Sequence, residues 1–304
     1  MDETATTSAD ESDSYGDSDV VADMERKVED FDSQTKRQDI DTYPKPGPEN
    51  SIITYDHPCP FEGEEFAWRR NAESIYHFLH VRLPPSQTWA KPGRSYIWIS
   101  NPHVRHTSWK EARNQHIPGA EDEMPTDGDI ATLMEAGEER LAFVSSFIED
   151  SQKRGVLFDR YRFEKQCDKA GADAAKDILE LAQDIGVTFG KWLIFCDTRE
   201  VDRIWDIIVN ATLADQLGVA AKVAARSSQD SIESILICVY TRNFKDKKDV
   251  RRVGIKLQEL GVIKDGDTLY YKPDAYTYLG IASGNPWKIH ASIYNSRNLK
   301  LVNG

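Results

Sequence analysis

An α+β fold follows from three features of this 304-residue chain. Gly190-Lys191-Trp192-Leu193-Ile194-Phe195-Cys196-Asp197 is an apolar, aromatic run bounded by Gly190 and Asp197, the pattern of a buried strand. Directly after it, Val201, Ile204, Trp205, Ile208 and Val209 repeat at the helical interval and mark one buried stripe. The other strands and helices are scattered without the strict alternation that builds a doubly wound parallel sheet. Trp192 and Trp205, one on each element, read as the joint where a helix packs on the back of a sheet.

Residues 1 to about 50 are Ser, Thr, Asp and Glu with few large apolar groups, too little to offset the entropy of ordering, so a disordered tail is expected. Its serines sit among acidic residues, a setting that suits acidophilic kinases, while the plainer reading is a solubilising tail. Pro44-Lys45-Pro46-Gly47-Pro48 ends it as a stiff linker, and residues 51–304 are expected to form a single domain.

Phe66, Trp68, Ile75, Tyr76, Phe78 and Leu79 allow a short helix or two, stopped at Leu83-Pro84-Pro85. Ser95 to Ser100 alternates polar and apolar groups between Gly93 and Pro102, as a strand does. Asn101 to His116 is a polar loop holding one large aromatic, Trp109, among Arg105, His106, Lys110 and Arg113. Asp127-Gly128-Asp129 opens a helix through Leu133, Leu141, Phe143, Val144, Phe147 and Ile148. Residues 155–170 fit either an edge strand or a loop. Ala172 to Ile185 is a helix ended by Gly186.

Past the strand and helix at 190–209, Val219 to Ala225 and Ile235 to Tyr240 are two strands, most simply a hairpin across Arg226 to Glu233. Asp249 to Leu260 is a helix capped by Gly261, Leu269 to Tyr271 begins another strand, and Tyr276 to Leu301 holds a final strand and loops.

The net charge of −13 is unevenly placed. Residues 1–41 hold 14 acidic and 4 basic side chains, and the remainder holds 37 and 34, so the folded part is nearly neutral and charge does not argue against a nucleic-acid ligand. Nothing resembles a signal peptide or a membrane span, so a soluble protein is expected, with no membrane partner. The four cysteines, Cys59, Cys167, Cys196 and Cys238, are far apart without paired spacing, which fits reduced thiols in the cytoplasm or nucleus.

Nucleotide and hydrolase signatures are missing: there is no G-x-G-x-x-G, G-x-x-x-x-G-K-[ST], H-E-x-x-H or G-x-S-x-G. No cofactor is expected. His103 and His106 are too few ligands for a metal site and read as loop histidines. What remains is aromatic and basic. Trp109 with Arg105, Lys110 and Arg113, and Lys222 with Arg226 on the hairpin, are the groups needed to stack a base and neutralise phosphates. Trp98, Trp192 and Trp205 lie in periodic apolar runs and read as core.

The strand Tyr96-Ile97-Trp98-Ile99, the polar loop and Thr107-Ser108-Trp109 resemble the first strand and loop of the cap-binding translation initiation factor 4E superfamily. Gly190-Lys191-Trp192-Leu193-Ile194 and Val201-Asp202-Arg203-Ile204-Trp205 resemble its Gly-basic-Trp strand and Asp-Arg-apolar-Trp helix. Tyr271-Lys272-Pro273-Asp274-Ala275-Tyr276-Thr277-Tyr278-Leu279-Gly280 is similar to the ending of a less studied branch, the basophilic leukaemia-expressed protein family. The resemblance implies a curved antiparallel sheet with helices on its convex face and a ligand on its concave face. It assigns Trp109 as one of two rings that sandwich 7-methylguanine.

Departures limit the transfer. No tryptophan stands at Asp177 to Gly186, where the second ring is due, so Tyr161 or Phe163 is left to supply it, with Asp159 or Glu164 as the base-reading carboxylate. The first phosphate-binding arginine falls at Ala224, leaving Arg226 and Lys222 as the basic positions. The helix Glu138 to Glu149 lacks the tryptophan that receives helical peptides. The expectation is a non-enzymatic module for a nucleotide, a cap-like RNA end or single-stranded RNA. The alternative is a protein-interaction adaptor that kept the fold and lost the cap site.

Overall fold

The computed structural model describes residues 59–61, 63–104, 128–154, 160–227, 234–263 and 267–299. Among them six strands form one sheet in the order β1-β3-β4-β2-β5-β6: β1 Tyr96–Ser100, β2 Gly190–Asp197, β3 Ala220–Ala224, β4 Ser234–Thr241, β5 Tyr270–Pro273 and β6 Tyr294–Asn295. Every pairing is antiparallel. The helices are α1 Gly128–Arg154, α2 Arg160–Asp184, α3 Val201–Leu213, α4 Lys247–Glu259 and α5 Asp274–Tyr278. The expected hairpin is present, with Ala220 opposite Tyr240 and Val223 opposite Ile237.

Strand alternation divides the sheet into two faces. Ile97, Ile99, Ala221, Val223, Ile237, Val239, Trp192 and Ile194 point to the helices and join the main core with Leu133, Leu141, Ile178, Val250 and Leu257. The stripe expected on the helix after β2 is the buried face of α3: Val201, Ile204, Trp205, Ile208 and Val209. Trp98 departs from expectation. It faces away from the helices, half-buried against Phe61 and Tyr240 in a second, smaller cluster.

Two positions require glycine. Gly186 follows α2 with φ of +83°, and Val187 N donates to Ala182 O at 2.8 Å, a left-handed helix stop. At Gly218 a Cβ would meet Tyr240 O at 1.8 Å, where the chain enters β3 against β4.

The segment expected as edge strand or loop is helical from Arg160 onward; residues 155–159 lie outside the described residues. Phe163, Cys167, Ala170 and Ala174 recur every three or four positions, but small side chains make the stripe inconspicuous. The chain's end differs as well. Asp274–Tyr278 is a short helix and the final strand is two residues long. Upstream, Ile75–His77 runs into a π-helical turn, Phe78–Arg82, and the Arg82 guanidinium braces the neighbouring chain by donating to Glu65 O at 2.7 Å and Ala67 O at 2.6 Å.

The two core tryptophans are not equivalent. The Trp192 indole N–H donates to Val250 O at 3.0 Å, while among the described residues the buried Trp205 N–H finds no acceptor. An unmade buried hydrogen bond costs about 1–3 kcal/mol. Trp205→Phe is therefore expected to destabilise less than Trp192→Phe by about that amount, read from denaturant unfolding. Equal losses would contradict this account of the joint.

Candidate nucleic-acid interface

The face opposite the helices is an aromatic and lysine layer. Lys222 on β3 is fully buried, its ammonium 3.9 Å from the Tyr96 ring centroid and 4.9 Å from that of Trp98. Lys191 on β2 is buried too, with Nζ 3.1 Å from Asp274 Oδ1, 3.1 Å from Thr277 Oγ1 and 5.5 Å from the Tyr240 ring centroid. Residues 66–68 run beside β1: Trp98 N donates to Phe66 O at 2.8 Å and Trp68 N to Trp98 O at 3.1 Å. Phe61 then covers Trp98 at 4.8 Å between centroids. Lys222, expected to neutralise phosphate directly, is instead enclosed by Tyr96 and Trp98.

At the end of β3 the layer opens. Arg226 has the strand parity of Lys222, and its guanidinium lies 4.7 Å over the ring of Trp89, which is 52% exposed. Arg226 N donates to Thr88 O at 2.8 Å and Ala90 N to Arg226 O at 2.8 Å, which binds the Trp89 segment to the strand as a short extra ladder. Arg226 Nη1 donates to Ser86 O at 3.2 Å. Ser86 is held in turn by Asp202 in the first turn of α3, through its N–H at 2.8 Å and its hydroxyl at 2.5 Å. Thus the aspartate of the Val201-to-Trp205 motif positions an exposed indole and an arginine at the sheet edge. Nearby, the Lys91 ammonium hydrogen-bonds Glu65 at 2.5 Å and holds that carboxyl below the usual carboxylate range, with Arg94 3.4 Å away adding to the effect.

A depression of about 400 Å³ adjoins the covering segment, lined by Phe61, Glu65, Trp68, Arg69, Arg70 and Asn71 among others. Trp89 escaped the sequence reading because it stands alone between Pro84-Pro85 and Pro92, outside any periodic run. The signal available was that isolation, the same property that singled out Trp109.

The other expected site residues are dispersed. Trp109 lies outside the described residues, as do His106 and Asp159. Tyr161, 70% exposed, half-buried Phe163 and exposed Glu164 stand on the first turns of α2, in the helix layer, and are not brought to the face that holds Lys222. His103 places Nε2 3.0 Å from Leu213 O. Among the described residues no group of three His, Cys, Asp or Glu could hold a metal, and no helix is long and apolar enough to cross a membrane. The four cysteines are free and buried, and burial, the largest influence, pushes the Cys196 thiol far up.

One antiparallel sheet, covered by helices on one side and ending in a cation-over-indole edge, places the chain among α+β sheet proteins. The chain belongs to the basophilic leukemia-expressed protein Bles03 family, whose model matches residues 13–280. The family resemblance drawn from Tyr271 to Gly280 therefore holds. Among solved structures it is similar to C. elegans eIF4E-3 in complex with the 4E-binding protein Mextli and a cap analog, at 24% identity, covering 29% of this chain and 51% of that one with a TM-score of 0.25. It is also similar to Ascaris suum eIF4E-3 with the m7G cap, at 21% identity over 29% and 51% with a TM-score of 0.25. The chain thus spans about half the length of these proteins.

Asp202→Ala removes both bonds to Ser86. It is expected to cost about 1.5–3 kcal/mol, as for hydrogen bonds to a charged group, and to speed amide exchange at Ala90 and Arg226 while leaving β2 protected. Unchanged exchange at these amides would show that Asp202 does not position the edge.

Proposed function

We propose that this chain is a non-enzymatic binding module for a nucleotide, a cap-like RNA end or single-stranded RNA. The observation that carries the reading is the Arg226 guanidinium held over half-exposed Trp89, a positive charge and a π-face together at the surface. A base stacks on an indole whatever its identity, and a guanidinium pairs with a neighbouring phosphate in a bidentate way. Trp109, at the position the resemblance gives to a cap-stacking ring, is the proposed second indole. Lys222 lies on the same face, enclosed by Tyr96 and Trp98. Tyr161, Phe163 and Glu164 drop out of the ligand set because their helix belongs to the other layer. Buried reduced thiols agree with a cytoplasmic or nuclear location.

One aromatic stack is worth about 1–3 kcal/mol, roughly a 5- to 150-fold change in Kd. Tryptophan fluorescence titrated with 7-methyl-GTP, GTP and a short single-stranded RNA is expected to show quenching. Trp89→Ala and Trp109→Ala should each weaken binding within that range, and Arg226→Ala should weaken GTP more than guanosine. Absence of quenching by all three ligands, or quenching indifferent to both tryptophans, would overturn the proposal.

An adaptor role is the second reading, favoured by Phe143 at 61% and Phe147 at 40% exposure, one turn apart on α1. Adjacent exposed aromatics on a helix suit a partner's apolar face. Loss of protein partners on changing both to Ser, with nucleotide titrations unaltered, would favour it.

A further inference from the structure

The exposed side of α4 is strongly basic. Lys248, Arg251, Arg252 and Lys256 recur at helical spacing away from buried Val250, Val253 and Leu257 and, with Gln216 and Glu259, line a surface depression of about 480 Å³. Exposed Lys245 and Lys247 add two cations where the helix begins. The arginines are held in place. Arg252 donates to Gln216 O at 3.0 Å, Leu217 O at 2.9 Å and Asp249 at 2.8 Å, and Arg251 Nε donates to Leu299 O at 3.1 Å. Cations fixed by backbone carbonyls lose little side-chain freedom when an anion arrives. Asp246, Asp249 and Glu259 offset three of these six positive charges. The surface fits an extended acidic peptide.

We propose that this peptide is the chain's own residues 1–25, lying along α4. That segment holds nine carboxylates and no lysine or arginine. Residues 26–58 tether it to the first described residue, Cys59. A random coil of that length has a root-mean-square reach of about 30 Å, and any chain of that length a limit near roughly 110 Å. A domain of this size has a radius of gyration of only about 18 Å, so the acidic segment reaches any face of it. Tethering keeps its local concentration near the millimolar range, on the order of what many weak ion pairs need to hold together. The contact is electrostatic and lies on the helix side of the sheet, so it stands independently of the Trp89 and Arg226 reading. An external polyanion such as RNA would meet α4 only by displacing the acidic segment.

Zero-length carbodiimide cross-linking of the full chain, mapped by mass spectrometry on the monomer band, tests this. Links from carboxylates in residues 1–25 to Lys247, Lys248 or Lys256 should exceed those to exposed lysines elsewhere, such as Lys91, Lys153 and Lys176, and should fade in 0.5 M salt. In a second measurement, the full chain with all nine carboxylates changed to Asn or Gln should bind heparin about 10-fold more tightly than the parent, and Lys248→Ala with Lys256→Ala should remove that gain. Links spread evenly over all exposed lysines, or found only in cross-linked dimers, would overturn the proposal. So would heparin binding through α4 that ignores the tail's charge, which would assign the helix to an external polyanion.

Discussion

Strand β2 is paired along its whole length to β4 and, over Gly190 to Leu193, also to β5, so Lys191 and Trp192 answer to two neighbouring strands and each to one of two packing layers. Trp192 points to the helices, with its N–H on Val250 O and its ring edge-on to Tyr271 at 5.3 Å. Lys191, one position earlier, points the other way and finds Asp274 and Thr277. A slip of one residue would drive the ammonium into the helix core and expel the indole, because strand side chains alternate. Removing one member of such a buried pair costs about 3–5 kcal/mol, which sets the scale of the penalty. The register of the central strand, and through it the separation of the two faces, is thereby pinned at one dipeptide.

The same logic explains what could be read from the chain beforehand. Large apolar residues at regular intervals announced β2, α3, β4 and α4, because each of these elements buries a continuous stripe. Arg160 to Ala170 concealed its helix because buried Cys167 and half-buried Ala170 fill the inward positions with little volume. β6 was visible only as composition, since two residues make no periodic pattern.

The candidate site was legible in half. Arg226 was found through the hairpin, but its partner Trp89 comes from a proline-flanked segment 137 positions away, joined to it by backbone bonds that no local pattern encodes. Lys222 looked like a phosphate ligand because charge implies solvent, whereas two rings and a covering segment can shelter an ammonium. Tyr161 and Phe163 are candidates through the missing second tryptophan at Asp177 to Gly186, and the structure places both on the first turns of α2. Exposure separates the tryptophans: Trp192 and Trp205 are buried in the joint, while Trp89 stands at the surface.

Amide hydrogen exchange of the full chain, with and without a short single-stranded RNA, tests the location of binding most directly. The account predicts slower exchange confined to Thr88–Lys91, Arg226 and the chain that follows β1, with α1 and α2 unaffected. Protection centred on α1 and α2 instead, or no protection at ligand concentrations that saturate the fluorescence change, would contradict it.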